Sequence, residues 1–407
     1  MQNRRTFLKS TLVTAAGAGL ASKSYAQSTF ETNKEETTFI YRTLGRTGIK
    51  LPIVSMGTGN TDSPNLVRSA LDKGVQLLGT SEAYQNGNNE KMVGGVLKDR
   101  PRDTFFIMTS SGDIDWIDTQ TGIYKDSFNP NALMQRVDES LKRLEVDYVD
   151  IFIQPFAATR ESVFHEPVRK AMEMVKKSGK AKYIGIATHK LEHEAIRAAV
   201  DVGIHDVVMT AYNFRRAGWY SEQNGKELEE AIQYADESGL GIIAMKTMAG
   251  AYWDKERTKP INATAALKWV LQNQHVHTAV PDCSNYDHLN QDLAVMNNLE
   301  LTEEEKQDLK PPSGELSSGL YCQQCNKCIS QCSKEMDIPS MMRSYMYAYG
   351  YRNLAHAKHT FYQSRVMGNP CRDCITCSVD CTAGFDIKQK VEDIARIQDI
   401  PGDFLHG

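Results

Sequence analysis

The chain has 407 residues, of which 41% are hydrophobic and 24% charged, and a formal charge of −4 at neutral pH. That is enough apolar content for one large core with a smaller domain beside it. Residues 1–26 hold Arg4, Arg5, Lys9 and Lys23 and no acid, so the remainder is more acidic still, which argues against a nucleic-acid partner or an anionic membrane surface.

The N-terminus, MQNRRTFLKSTLVTAAGAGLASKSYAQ, has the three parts of an export address: a basic start, an apolar run from Thr11 to Ala21, and a small-x-small ending at Ser24-Tyr25-Ala26. The apolar run is too short to span a bilayer, so no permanent membrane anchor is expected. Asn3-Arg4-Arg5-Thr6-Phe7-Leu8-Lys9 resembles the twin-arginine signal, whose translocation machinery moves folded proteins. The expectation is a signal peptide over 1–26, cytoplasmic folding, and a periplasmic product.

From about Leu51 to Asn297 short apolar runs alternate with amphipathic ones. Candidate strands are Ile53–Met56, Gln76–Thr80, Phe105–Thr109, Tyr148–Ile153, Tyr183–Ala187, Asp206–Tyr212, Gly241–Lys246 and Thr278–Pro281. Helical patterns follow them, as in Asn131–Leu144, where Leu133, Val137, Leu141 and Leu144 recur at three and four residues. Eight strand–helix units in roughly 250 residues predict an α/β fold of the (β/α)₈ barrel type, here over 37–311. A doubly wound sheet is the competing architecture, but no Gly-x-Gly-x-x-Gly turn follows the first strand.

The acidic helix LTEEEKQDL (301–309) and the break Pro311-Pro312-Ser313-Gly314 close the barrel and open a second, mostly helical domain over 315–400. In it Cys322, Cys325, Cys328 and Cys332 form Cys-x2-Cys-x2-Cys-x3-Cys, and Cys371, Cys374, Cys377 and Cys381 repeat the pattern, leaving only Cys283 outside. Shifting the sequence by 49 residues superimposes the two runs and also lays Asp337-Ile338 on Asp386-Ile387. Three thiolates from one tight loop plus a remote fourth suit a 4Fe-4S cluster, and in two-cluster ferredoxins the fourth cysteine of each run serves the other cluster. That rule predicts one cluster on Cys322, Cys325, Cys328 and Cys381, and another on Cys371, Cys374, Cys377 and Cys332. Zinc ribbons use paired Cys-x2-Cys knuckles and need no third and fourth cysteine at these offsets. Ser333 and Thr382 stand where bacterial ferredoxins place proline. The linker IPSMMRSYMYAYGYRN (338–353) resembles the helical type of ferredoxin.

Leu44-Gly45-Arg46-Thr47-Gly48, GVQLLGTSEAYQNGNNEKMVG (74–94), Tyr148-Val149-Asp150, Gly185-Ile186-Ala187-Thr188-His189 and Gly241-Ile242-Ile243-Ala244-Met245-Lys246 occur in that order along the eight units. On these residues Tyr41 to Leu309 resembles the aldo-keto reductase family, in the branch with a twin-arginine signal and a C-terminal ferredoxin-like extension. The resemblance implies hydride transfer from a nicotinamide to a carbonyl, with a tyrosine as proton donor, a lysine held by an aspartate to lower its pKa, and a histidine to orient the carbonyl. The tyrosine is present as Tyr84. The aspartate position is Gly79, the lysine position Ser110 and the histidine position Pro155, so three of the four are gone.

A free phenol, with a pKa near ~10, is a sluggish proton donor at neutral pH without a nearby cation, and losing one positioned partner costs ~10²–10⁴ in rate. The nicotinamide site implied by the family is also eroded. The last strand–helix turn reads Pro281-Asp282-Cys283-Ser284-Asn285 and then His288, which leaves Cys283, Ser284 and His288 as its nearest equivalents. An aspartate there repels the 2′-phosphate of NADP. At the strand ends Glu82, Tyr84, Gln154, His189, Lys246, Asp282 and Cys283 remain, with Tyr84, Lys246 and His189 the candidates for chemistry at the rim, where barrels of this kind bind ligands. The segment GDIDWIDTQTGIYKDSFNP (112–130) and Trp219-Tyr220 are candidate lids or aromatic walls. The expectation is an exported iron-sulfur oxidoreductase with a small-molecule ligand at the rim and a redox partner of unknown kind. The alternatives are a non-catalytic electron-transfer or ligand-binding subunit, and hydride chemistry with a tightly retained nicotinamide.

Overall fold

The computed structural model describes residues 39–405, apart from 119–120, 155, 158, 218–221 and 313–318. The expected signal segment over 1–26, Pro155, Trp219 and Tyr220, and the Ser313-Gly314 part of the linker therefore lie outside the described residues.

An antiparallel hairpin, β1 (Tyr41–Thr43) with β2 (Lys50–Pro52), opens the fold. The sequence pattern did not announce it. Its Leu44, Ile49 and Leu51 are buried against Leu77, Ile151, Val207 and Ile243, which fill the barrel interior from the strands' N-terminal ends. Eight parallel strands follow: β3 (Met56–Gly57), β4 (Leu77–Gly79), β5 (Phe106–Ser110), β6 (Val149–Gln154), β7 (Ala181–Thr188), β8 (Val207–Ala211), β9 (Gly241–Met245) and β10 (Thr278–Ala279). They pair in sequence order, and the first returns to the last: Ser55 N–H donates to the Ala279 carbonyl at 2.8 Å and Gly57 N–H to the Pro281 carbonyl at 2.8 Å. All eight sequence-predicted strands are thus present, with edges moved by a few residues. The first is reduced to Met56–Gly57, Val54 meeting only a single bridge to Ala279.

The helices of the barrel are α1 (Pro64–Asp72), α2 (Asn88–Leu97), α3 (Pro130–Leu144), α4 (Arg160–Phe164), α5 (Glu166–Lys177), α6 (Glu192–Val202), α7 (Phe214–Ala217), α8 (Glu222–Glu237), α9 (Ala263–Gln272), α10 (Tyr286–Leu293) and α11 (Glu303–Asp308). Local chemistry sets their ends. In α3 the Asn129 side chain caps the first turn, Pro130 occupies the position where a missing N–H costs nothing, and Leu133, Val137, Leu141 and Leu144 form the buried stripe.

Three tail helices come after the first cysteine run: α12 (Ile338–Tyr345), α13 (Leu354–Tyr362) and α14 (Ile387–Ala395). The internal repeat is visible in their caps, since Asp337 accepts the Ser340 N–H and Asp386 accepts the Gln389 N–H. Helix α12 runs on into a π-helical turn, Met346–Gly350. The tail does not stand apart. A second apolar core joins Phe214, Ala249, Trp253 and Ile261 of the barrel to Leu320, Tyr321, Met341, Tyr345 and Phe361, and residues 38–407 form one compact unit. Asn353 Nδ2 donates to the Gly59 carbonyl at 3.2 Å and the Gly250 N–H donates to Tyr351 Oη at 3.1 Å, both at the C-terminal ends of barrel strands. The tail is the roof of the barrel mouth.

Candidate active site at the barrel mouth

Beneath that roof lies a cavity of about 1350 Å³. Its floor is made by strand ends, including Gly79, Ser110, Gln154, His189, Lys246 and Asp282. Its roof is Arg343, Tyr347, Asn353 and His356 of the tail. Ile114 and Ile117 of the 112–130 segment form part of the wall.

At Gly79 the space a side chain would enter is already filled: an added Cβ would stand 3.2 Å from Met108 Cε and 3.3 Å from Val280 Cγ2. The floor at this point is apolar. Ser110 supplies no charge either, and its carbonyl accepts from the Glu82 N–H at 3.0 Å and from Ser81 Oγ at 3.0 Å. The nearby cations are committed elsewhere, Arg136 to Glu82 at 2.6 Å and Arg143 to Glu90 at 2.7 Å. Gln154 is buried, donating to the Ser162 carbonyl at 3.1 Å. Tyr84 opens a short 3-10 turn, Tyr84–Gly87, and lies edge-on to His356 with centroids 5.7 Å apart. Burial, then Asp282 and Tyr347, push its phenol far above the usual value, so it stays protonated.

Lys246 and His189 are brought together. Lys246 follows β9 with φ of 56°, a left-handed conformation uncommon for a lysine, which is fixed by the Asn213 Nδ2 donor on its carbonyl at 3.0 Å. Its Nζ lies 2.8 Å from His189 Nδ1 and 5.8 Å from the centre of the Tyr347 ring. Burial, with Arg343 adding to it, brings the Lys246 pKa down to about 7, against the opposing pull of Asp282 and Glu192. Burial and Lys246 hold His189 well below its ordinary value, so it is a neutral acceptor for the ammonium. His356 is brought down to about 3, chiefly by burial. Asp282 is raised to about 6 by burial, opposed by the Gly59 N–H and Lys246.

Of the residues nearest a nicotinamide site, Ser284 and His288 face the cavity and lie 3.1 Å from each other. Cys283 does not line it. Its thiol is buried and donates to Asp292 Oδ2 at 3.1 Å. Sequence reasoning missed Arg343, Tyr347, Asn353 and His356 altogether. Only the tail's position over the barrel brings them in.

The cysteines group across the two runs. Cys322, Cys325, Cys328 and Cys381 line one narrow cleft, with Met342 and Ile387 beside them. Burial raises the Cys328 thiol to about 12, with Cys325 and Cys381 among the further causes. Cys371 is raised to about 11, by burial first and then by Cys374, Cys377, Glu392 and Cys332. Gln331 stitches the runs together, accepting from Ser378 Oγ at 2.6 Å through its carbonyl and from the Asp380 N–H at 2.6 Å through its side chain. Among the described residues no three His, Cys, Asp or Glu side chains converge as a single metal ion requires. A mononuclear zinc needs its sulfurs ~2.3 Å from one point, whereas a cubane stands between more widely spaced thiols.

The Aldo/keto reductase family model matches residues 55–265, just over half the chain and ending before the cysteine runs. The uncharacterized oxidoreductase YqkF of Bacillus subtilis is 24% identical over 281 residues, 63% of this chain and 89% of its own. The NADH-specific methylglyoxal reductase of Escherichia coli is 28% identical over 194 residues, 42% of this chain and 58% of its own. In structure, the holo form of an aldo-keto reductase from Bacillus halodurans matches with a TM-score of 0.50 at 20% identity, covering 67% of this chain and 95% of that one.

Proposed function

The chain belongs to the aldo/keto reductase family, and from that premise we propose an exported iron-sulfur oxidoreductase that interconverts a carbonyl and an alcohol in the roofed cavity with a rebuilt proton relay. The observation that carries the reading is the Lys246 Nζ to His189 Nδ1 contact of 2.8 Å, in one cavity with Tyr84. Oxidising an alcohol releases a hydroxyl proton, a second proton that would pass by way of the neutral His189, and two electrons that would pass one to each cluster. A lysine with a pKa of about 7 is half neutral at working pH, close to the optimum for accepting the hydroxyl proton or returning it. His189 holds the amine in place, and the protonated Tyr84 donates a hydrogen bond to the substrate oxygen. The roof excludes water.

The donor set fits two 4Fe-4S clusters, on Cys322, Cys325, Cys328 and Cys381 and on Cys371, Cys374, Cys377 and Cys332. What supports this is the four-thiol cleft and the grouping of Cys332 with the other run. Such clusters would supply one-electron transfers between the site and an external redox partner. The 2′-phosphate of NADP does not fit, because Asp282 occupies that turn and Cys283 is turned away. One observation favours a second reading, a retained unphosphorylated nicotinamide: the cavity exceeds the ~300–1,000 Å³ usual for one small ligand. The twin-arginine signal supports export of the loaded protein to the periplasm.

The test is turnover of a panel of aldehydes, ketones and alcohols by anaerobically purified protein with reduced or oxidised viologen, alongside identification of small molecules released on denaturation. Turnover lost in Lys246→Met supports the reading, and a released nicotinamide selects its second form. Absence of turnover across the panel in cluster-loaded protein points instead to a non-catalytic subunit. Changing Arg4 and Arg5 to Lys should strand brown protein in the cytoplasm, and efficient export of that variant would refute the folded route.

A further inference from the structure

Among the described residues, Arg343 is a buried guanidinium with no carboxylate in ion-pair contact. It is only 8% exposed, and its Nη2 bonds are to neutral oxygens, Ser340 Oγ at 3.3 Å and Gln363 Oε1 at 3.1 Å. Guanidinium does not lose its proton in proteins, and an uncompensated buried charge is costly. Several other cations lining the cavity are matched to acids of the chain. Lys190 holds both oxygens of Asp337, at 2.7 and 2.6 Å, and Arg136 and Arg143 hold Glu82 and Glu90. Lys246, which faces Arg343's side of the cavity, leans on a neutral histidine. Asp282, the acid of this part of the cavity, takes the Gly59 N–H and lies in ion-pair contact with neither cation among the described residues.

We infer that the substrate is a monoanion whose carboxylate sits on the Arg343 guanidinium of the roof while its hydroxyl or carbonyl reaches the Lys246 amine on the floor. Asp282 shares the cavity with Arg343 and limits the negative charge the site can take, while the histidines there are neutral. A phosphate dianion would bring excess charge towards Asp282. With Nη2 held by Ser340 and Gln363, the Nη1 N–H groups are the ones to meet a carboxylate oxygen in a charge-assisted bond. Because Arg343 belongs to the tail and Lys246 to the barrel, binding such an acid would also draw roof and floor together. This inference rests on the oxidoreductase reading for the word substrate, but the anion site itself does not.

Calorimetry on the full cluster-loaded chain tests it with three pairs: 2-oxobutyrate and 2-butanone, D-gluconate and sorbitol, benzoate and benzyl alcohol. At least one acid is expected to bind roughly tenfold or more tighter than its uncharged counterpart, a difference that Arg343→Gln should reduce to about threefold or less and Arg343→Lys should partly keep. Acids that bind no tighter than their counterparts overturn the inference. So does an advantage that survives Arg343→Gln, or inorganic phosphate binding tighter than every acid. Viologen-linked turnover measured on the same samples separates the two claims, since selective acid binding without turnover leaves the anion site and removes the oxidoreductase.

Discussion

A Cβ on Gly350 would clash with the carbonyl oxygen of Gly250, so the tail backbone at the end of its π-helical turn rests directly on the barrel rim. No side chain separates them. That contact, with Tyr351 and Asn353 just beyond it, sets the height of the roof that carries Arg343 and Tyr347.

Gly350→Ala is therefore expected to lift the roof rather than merely fill space. Forcing a methyl into such a contact costs about 1–3 kcal/mol. A lower melting temperature, together with faster amide exchange in α12 and α13, would show it. A variant that melts and exchanges like the parent would mean that the roof yields without cost.

Lys246 makes pH the control variable. Alcohol oxidation needs the neutral amine, so kcat/KM in that direction should climb as pH rises through about 7 and then level off, while carbonyl reduction falls over the same range. Lys246→Met should lower turnover by roughly 10²–10⁴ and abolish that inflection. Stability has its own sign. With the folded pKa below the unfolded one, the unfolded chain binds more protons between them. The penalty for the buried charge is thus full below about 7 and is relieved as pH rises towards the ordinary lysine value. Lys246→Met should remove that rise, as urea unfolding at several pH values can measure.

Why the barrel was legible and the roof was not follows from what each pattern encodes. The run VDIFIQ is buried at every position in β6, and such continuous apolar stretches announce parallel strands covered on both faces. The strand ends that carry Gly79 and Ser110 were readable for the same reason. Arg343 is different. Its helix shows apolar spacing through Ile338, Met342 and Tyr345, but nothing in that spacing says which surface the helix will cover. Two residues on opposite elements, such as Tyr84 and His356, become neighbours only once the tail folds back over the strands.

The cysteine grouping yields a crossed phenotype. Anaerobic protein should hold about eight irons and eight acid-labile sulfides. Cys332→Ser should damage the cluster of Cys371, Cys374 and Cys377, and Cys381→Ser that of Cys322, Cys325 and Cys328. Paramagnetic resonance of the reduced variants can tell the two apart. If each substitution removes the cluster of its own run, ligation is not crossed, and zinc in place of iron would discard both.

Asp282 links the cofactor question to a titration. Its carboxyl is raised to about 6, so burial of the carboxylate penalises the fold above that pH, and the penalty fades as pH falls towards the ordinary aspartate value. Asp282→Asn should therefore stabilise the protein at pH 7 and leave it little changed at pH 4. The same substitution removes the charge that opposes a 2′-phosphate. Wild-type protein is expected to bind NADPH weakly and to reduce simple aldehydes with it negligibly, because Gly79 and Ser110 also remove the acid and the cation of the family's relay. Asp282→Asn should tighten NADPH binding while leaving aldehyde reduction low, since affinity gained equally by ground and transition states does not raise kcat. Calorimetry with NADPH and NADH, and nicotinamide oxidation against an aldehyde panel, read both outcomes. Tight NADPH binding with ordinary turnover in the wild type would show that Lys246 and His189 have restored the family's hydride chemistry in full.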